Sequence, residues 1–194
     1  FPWAPGDAVV FNDPFLGGTH LPDVTVVVPA FLSRTLLGFA VTRAHHAHIG
    51  ASAPGSMPLS QSLEEEGLCL SPTYLLQGGV MPEATFAALG SLLRGAHPSP
   101  GAWRTAPGLE DFAAQLASAQ AGATALSALA EKEGGAAALA AGVEALHDYG
   151  ERLARQALAA LPEGRYEAED ALDSDGFSSA SVPLRVALTV GKGR

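Results

Sequence analysis

A histidine and an aspartate lie three positions apart in the segment GGTHLPDVTVVVPAF, and a histidine cluster follows later in the chain. The first pair is His20 and Asp23, and the cluster RAHHAHIG contains His45, His46 and His48. Imidazole nitrogens and carboxylate oxygens are ligands of divalent metals such as manganese, iron, cobalt and zinc. The chemistry of this region therefore depends on whether the fold brings these groups together.

The segment after Asp23 and the segment before His45 both have the composition of β-strands, and they are neighbours in the chain. Residues 24–28 and 36–42 are rich in apolar and β-branched side chains, with a short turn between them. In an antiparallel hairpin, a three-residue turn places Asp23 opposite His45, and a two-residue turn shifts that pairing by one residue. Directly opposed residues have Cβ atoms roughly 5 Å apart. We therefore expect His20, Asp23 and His45 to converge at one end of a hairpin.

Two interpretations of the convergence are open at this point. In the first, His20, Asp23 and His45 are ligands of a divalent metal (Mn, Zn or Fe) that keeps open positions for substrate or water. In the second, the histidines form an ordinary polar rim at the end of a strand. His46 and His48 would share the strand face opposite His45, and one of them would move protons or orient a ligand.

The remaining polar positions carry weaker signals. Asp13 lies in the turn sequence Asn-Asp-Pro, and we expect it either to orient a ligand or substrate or simply to shape the turn. His97 and His147 have no companions in the sequence and are expected to be structural or surface groups.

Composition excludes several classes of partner. The 194 residues carry a net charge of −9, which argues against nucleic acid or an anionic membrane surface. No apolar stretch is long enough to span a bilayer. Cys69 is the single cysteine, so an intrachain disulfide is impossible and we expect a reducing, cytoplasmic location. The chain begins FPWAPGDAVV without an initiator methionine, and we expect it to be a piece of a longer polypeptide.

The order of sequence patterns predicts an α+β fold in a single domain or in a fragment of a larger subunit. An apolar helical face introduced by acidic residues is interrupted at Gly134–Gly135 and then resumes, which predicts an Ala-rich helical hairpin. Antiparallel β hairpins would carry the metal site. The predicted regions are β-rich at 1–50, rich in Pro/Gly loops at 51–108, a helical hairpin at 109–162 and β again at 163–194.

Several long motifs, in their order along the chain, resemble the hydantoinase B/oxoprolinase family. They are PGDAVVFNDPFLGGTHLPDVTVVVPAF, GFAVTRAHHAHIG, PGSMP, EEEGLCLSP, LEDFAAQLASAQAG and LPEGRYEAEDALDSDG. The family includes the B-type subunits of ATP-dependent N-methylhydantoinase, the matching half of 5-oxoprolinase, and subunits of acetone and acetophenone carboxylases. The resemblance covers nearly the whole chain.

The resemblance implies a metal held by the residues that match His20, Asp23 and His45, as in the carboxylase relatives. It also implies a hydantoinase A-type partner subunit that handles ATP and phosphorylates a small-molecule substrate, in a hetero-oligomer. The absence of a G-x-x-x-x-G-K-[ST] loop agrees with ATP binding elsewhere. The function implied is the opening of a cyclic amide such as a hydantoin or 5-oxoproline. The alternatives are a metal-dependent ketone carboxylase subunit and a non-catalytic metal-binding or assembly fragment.

Two departures from the family pattern bear on this expectation. His48 stands where the family has an aspartate, in HHAH followed by Gly50–Ala51 instead of Gly-Gly. The family is also much longer, with segments before PGD and after the last predicted strand. If those segments contribute to the active site, residues 1–194 would need them for activity.

Overall fold

Within residues 1–53, 59–95 and 98–191, which the computed structural model describes, the chain forms six strands and four α-helices. The motif PGSMP at 54–58 and His97 lie outside this part. The mixture of helices and antiparallel strands confirms the predicted α+β class. The strands are β1 (Ala8–Phe11), β2 (Asp23–Leu32), β3 (Thr35–His45), β4 (Thr73–Leu76), β5 (Gly164–Leu172) and β6 (Val182–Val190), and the helices are α1 (Leu63–Glu66), α2 (Glu83–Ala88), α3 (Glu110–Lys132) and α4 (Ala136–Ala159).

The chain divides into two compact units, residues 1–140 and 141–194. In the first unit, four antiparallel strands form one sheet in the order β3-β2-β1-β4, so β2 lies inside the sheet and β3 forms one edge. The strand β2 reads DVTVVVPAFL and is apolar on both faces, as expected for a central strand.

Helix α3 packs across β2 and β3 and closes the core of the first unit. Its acidic first turn, Glu110 and Asp111, suits the positive end of a helix dipole. The apolar side chains of its inner face lie against the sheet, and Gly122 allows close approach because a Cβ there would lie 3.2 Å from the Cβ of Ala40. The predicted inner face is buried at Phe112, Leu116, Ala119 and Ala123, and Leu126 packs against it half-buried.

The second unit contains most of α4 and the two-stranded β5–β6 sheet. On β6, Leu184 and Val186 lie on one face of this hairpin, and the Arg185–Glu169 ion pair lies on the opposite face. Every residue from 141 to 191 is exposed except Val190, which is half-buried. The alternating pattern thus predicted the β6 strand correctly.

The break between the two predicted helices lies where the glycines are. Gly134 and Gly135 have φ angles of 97° and 107°, which side chains rarely adopt and which end α3. His147 is exposed on α4, in agreement with a surface role. No helix in the described part of the chain is both long and apolar enough to cross a membrane.

Candidate metal centre

The predicted pairing of Asp23 with His45 is confirmed, although by an unexpected route. The β2–β3 hairpin turns through two residues, Ser33 and Arg34, which alone would place Asp23 opposite Ala44. An irregularity between Ala30 and Phe31 shifts the register by one residue, and Asp23 then pairs with His45. A two-residue turn with one bulge therefore reproduces the register of a three-residue turn.

His20, Asp23 and His45 lie together at the end of the hairpin that is remote from the turn. His20 Nε2 is 3.1 Å from Asp23 Oδ2, and these side chains are 29% and 26% exposed, which leaves them within reach of a small molecule. The ring centroids of His20 and His45 are 5.2 Å apart. The Thr19 hydroxyl donates a hydrogen bond of 3.0 Å to the same Asp23 oxygen.

His20 and Asp23 contact each other directly, and His45 lies beside His20 through its ring. Among the described residues, no three His, Cys, Asp or Glu side chains form a preassembled metal site. The donor set of two imidazoles and one carboxylate nevertheless fits Mn, Zn or Fe, because these metals accept nitrogen and oxygen ligands. His20, Asp23 and His45 are the residues that would hold such a cation, and the metal site stays a prediction.

His46 points into the core instead of toward these three groups. Its side chain is 2% exposed, and its ring packs edge-on against Phe112 with centroids 4.4 Å apart. Its Nε2 lies 2.8 Å from Gln115 Oε1, and its Nδ1 is buried without a hydrogen-bond partner in the described part of the chain. This placement favours a structural role, and the predicted catalytic role of His46 stays a prediction.

The hydrogen bonds of Gln115 determine which nitrogen of His46 is protonated. The amide nitrogen of Gln115 donates to the carbonyl oxygens of Val24 (2.8 Å) and Thr42 (3.0 Å), so its oxygen accepts from His46 Nε2–H. Burial lowers the pKa of His46 below its ordinary value, although the bond to Gln115 and the charge of Asp111 act in the opposite direction. We therefore assign His46 as a neutral imidazole with its proton on Nε2.

The other two predicted catalytic residues lie in loops. His48 is half-buried three residues beyond the end of β3, and its role stays a prediction. Asp13 accepts a hydrogen bond from the Phe15 backbone N–H (2.9 Å) and another from the Ser71 hydroxyl (3.1 Å). These contacts are those of a turn-forming aspartate, and the predicted role of Asp13 in orienting a ligand is likewise untested.

A buried asparagine holds the loop that delivers His20. Asn12 is fully buried, and its amide nitrogen donates to the carbonyls of Leu21 and Leu68, both at 2.8 Å. Its side-chain oxygen accepts a 2.6 Å hydrogen bond from the Leu70 N–H. Asn12 therefore joins the end of β1, the residue after His20 and the segment before β4 through a single side chain.

The glycines before His20 form a tight turn that Arg43 secures. The Gly18 N–H donates to the Asp13 carbonyl (2.8 Å), and a Cβ at Gly18 would collide with the Asn12 carbonyl. Arg43 donates through Nε to Thr25 Oγ1 (3.0 Å) and through Nη2 to the Gly17 carbonyl (2.8 Å). The side chain of Arg43 thus connects this turn to β2 and β3 beside His45.

Comparison with known protein families shows to which family this chain belongs. The family model described as hydantoinase B/oxoprolinase matches residues 1–194. The chain belongs to the hydantoinase B/oxoprolinase family. The family resemblance noted in the sequence motifs is thereby confirmed.

Individual relatives agree with the family assignment. The B-type subunit of a putative D-/L-hydantoinase from Pseudomonas sp. (strain NS671) is 35% identical over 191 residues, covering 95% of this chain and 30% of the relative. Among solved structures, an ATP-dependent caprolactamase from Pseudomonas jessenii has a TM-score of 0.71 and 24% identity over 88% of this chain and 28% of that chain. A nucleotide-free acetone carboxylase has a TM-score of 0.67 and 17% identity, covering 94% and 24%. The chain thus spans less than a third of each of these proteins, and both structures share its fold.

Sequence reasoning missed Asn12 and Gln115, the two buried amides beside the site of this hydantoinase B family chain. Gln115 had a detectable signal: it is a polar residue on the inner face of α3, between Phe112 and Leu116. A polar side chain on a buried helical face requires hydrogen-bond partners. Asn12 was interpreted only as part of a turn, because its burial depends on segments distant in sequence.

Proposed function

We propose that this chain is the metal-bearing part of a B-type component in an ATP-dependent amidohydrolase that opens cyclic amides, with His20, Asp23 and His45 as the ligands. The observation that carries the proposal is the pairing of Asp23 with His45, with His20 Nε2 3.1 Å from Asp23 Oδ2. Membership of the hydantoinase B/oxoprolinase family supports the cyclic amide as the class of substrate.

The residues of this chain would prepare the site in three ways. Thr19 donates to Asp23 Oδ2 and so fixes the orientation of that carboxylate. Arg43 restrains the Gly17–Gly18 turn that precedes His20. The partial exposure of His20 and Asp23 leaves space for a substrate on the open side of the sheet. A bound divalent metal would supply a Lewis acid for the amide carbonyl or an activated water.

A partner subunit is part of the proposal. The hydantoinase relative is named as one subunit of its enzyme, the B-type one, and the caprolactamase with the same fold is ATP-dependent. This chain has no phosphate-binding loop of the P-loop type. We therefore place ATP on an A-type subunit that activates the cyclic amide, while the present chain contributes the step at the candidate metal centre.

Metal content tests the proposal directly. Elemental mass spectrometry of the purified chain, reloaded with Mn²⁺, Zn²⁺ or Fe²⁺, is expected to give close to one metal per chain. His20→Ala, Asp23→Ala and His45→Ala are each expected to abolish retention, since each removes one of three protein ligands. His147→Ala is the matched control, because it removes an exposed histidine from the second unit.

The two outcomes are easily told apart. Loss of metal in the three variants, with circular dichroism unchanged and His147→Ala still loaded, supports the site. A wild-type chain that cannot be loaded, or variants that retain the metal, would contradict it. The loaded chain would then be combined with an A-type subunit and ATP, and ring opening of hydantoin and 5-oxoproline would be measured against the chain without metal.

A further inference from the structure

Each of the three candidate ligands is followed in the chain by a residue that a buried amide side chain bonds. Leu21, next to His20, is bonded by Asn12. Val24, next to Asp23, is bonded by Gln115. His46, next to His45, is bonded by Gln115 as well. Two side chains from separate parts of the sequence thus bond a chain neighbour of each candidate ligand, through the backbone carbonyl at Leu21 and Val24 and through the imidazole at His46.

We propose that Gln115 and Asn12 are positioning residues that set the geometry of the candidate metal ligands. This inference rests on the proposed metal site. Gln115 acts on Asp23 and His45 together, since it bonds one residue in each of the two paired strands. Asn12 acts on His20, which lies in a loop and has no sheet partner to restrain it.

The burial of both amides explains why they can act as rigid supports. Asn12 is fully buried and Gln115 is 6% exposed, so solvent cannot replace the hydrogen bonds that they make. Each amide uses its nitrogen for two backbone carbonyls and its oxygen for one donor. A fully satisfied buried amide has one favourable orientation, and the ligand neighbours attached to it are fixed accordingly.

Helix α3 is the element that makes this support possible at the β2–β3 end. Gln115 reaches both strands from the helix, and Phe112 packs against the His46 ring one turn earlier. Asp111 accepts a 3.3 Å hydrogen bond from the Ala47 N–H just beyond His45. The first turns of α3 therefore restrain the chain on both sides of His45.

The affinity of the chain for Zn²⁺ tests this inference. Gln115→Met removes all three hydrogen bonds of the amide at similar size and without a new charge. Groups bonded directly to metal ligands typically change metal affinity by about 10- to 100-fold. Gln115 bonds chain neighbours of the ligands, so we expect Gln115→Met to weaken Zn²⁺ binding about 10-fold, at the lower end of that range. Asn12→Leu is expected to act in the same direction through His20.

The matched control is Thr85→Val, which removes a different buried hydrogen bond. Thr85 is 4% exposed and donates to the Tyr74 carbonyl (2.7 Å) near β4, at the opposite edge of the sheet from β3. Thr85→Val is expected to leave the Kd for Zn²⁺ unchanged even where it lowers the melting temperature. The d–d spectrum of the Co²⁺-saturated chain should change in Gln115→Met and stay constant in Thr85→Val, which separates positioning from a general loss of stability.

The outcomes distinguish this inference from the proposed function. Wild type that binds Zn²⁺, with Gln115→Met folded and equally tight, overturns the positioning role and leaves the metal site standing. Wild type that binds no Zn²⁺ overturns both. If Gln115→Met does not fold, the side-chain amide NMR signals of wild-type Asn12 and Gln115 decide the matter: they should shift on Zn²⁺ addition, and unchanged signals would overturn the inference.

Discussion

The two units of this chain contain similar strands and helices but differ completely in burial. In the first unit, β2 is buried at Val24 and Val26 because α3 covers one face of the sheet. In the second unit, β6 has a cleaner alternation of apolar and polar residues than β2, yet Leu184 and Val186 are 47% and 64% exposed. Alternation therefore specifies a strand, while a core requires a second layer of structure.

The same contrast applies to the polar groups. The polar side chains near the candidate metal centre include buried amides with several backbone partners, as at Asn12 and Gln115. The ion pairs of the second unit, such as Arg155–Glu151 and Arg185–Glu169, lie on exposed surfaces where water competes. The first unit is thus built to hold a fixed geometry.

Hydrogen exchange should give the largest difference between the units. Amides in the middle of β2, such as that of Val27, are expected to exchange at a rate limited by opening of the whole first unit. The Val186 amide in β6 is expected to exchange about 1,000-fold faster or more, because an isolated two-stranded hairpin is marginally stable. Exchange of the isotopically labelled chain followed by NMR measures both, and equal protection in β2 and β6 would refute the contrast.

Truncation of one leucine in each unit should give the next largest effect. Leu116 is fully buried on α3, and Leu116→Ala is expected to lower the free energy of unfolding by about 2–5 kcal/mol. Leu146 is 65% exposed on α4, and Leu146→Ala is expected to change it by less than about 0.5 kcal/mol. Urea unfolding followed through tryptophan fluorescence measures the first unit, which contains both Trp3 and Trp103, and far-ultraviolet circular dichroism of the same samples also reports on α4. Similar losses in both variants would show that Leu146 is buried in solution.

Features of the site that depend on residues close in sequence were predictable, and features that depend on distant contacts were not. The β2–β3 hairpin followed from strand composition, and turn length predicted the partner of Asp23 to within one residue of His45. The compensation between a two-residue turn and the irregularity at Ala30/Phe31 did not follow from the sequence. The Phe31 carbonyl there accepts a 3.0 Å hydrogen bond from the Ser127 hydroxyl on α3, a contact between segments far apart in the chain.

Contacts between distant segments account for what was missed in the fold. The hydrogen bond between Asn12 and Leu68 spans 56 residues, and that between Gln115 and Val24 spans 91. No periodic pattern indicates such pairs. The burial of His46 also depends on a distant segment. The sequence placed His46 on the strand face opposite His45, but α3 covers that face and closes it to solvent.

Replacing one arginine in each unit should give the smallest of these differences. Arg43 bonds the hydroxyl of Thr25, which is 2% exposed, and the carbonyl of Gly17. Arg43→Met leaves the buried hydroxyl without this partner, so we expect a loss of about 1 kcal/mol in unfolding free energy. Arg185 pairs with Glu169 at 3.0 Å, but both side chains are more than 70% exposed. Arg185→Met is therefore expected to have no measurable effect, because solvent screens the pair and its ordering opposes the attraction.

The position of this arginine adds a local readout to the stability measurement. The Gly17 carbonyl lies three residues before His20, so loss of the Arg43 bond should free the turn that carries this candidate ligand. In Arg43→Met the backbone amide signals of Gly18 and His20 should shift, and their exchange should accelerate relative to that of Val27. In Arg185→Met the same signals should stay in place. Unchanged Gly18 and His20 signals in Arg43→Met would mean that the other hydrogen bonds of this loop hold it without Arg43, and the arginine would then be a surface group like its counterpart in the second unit.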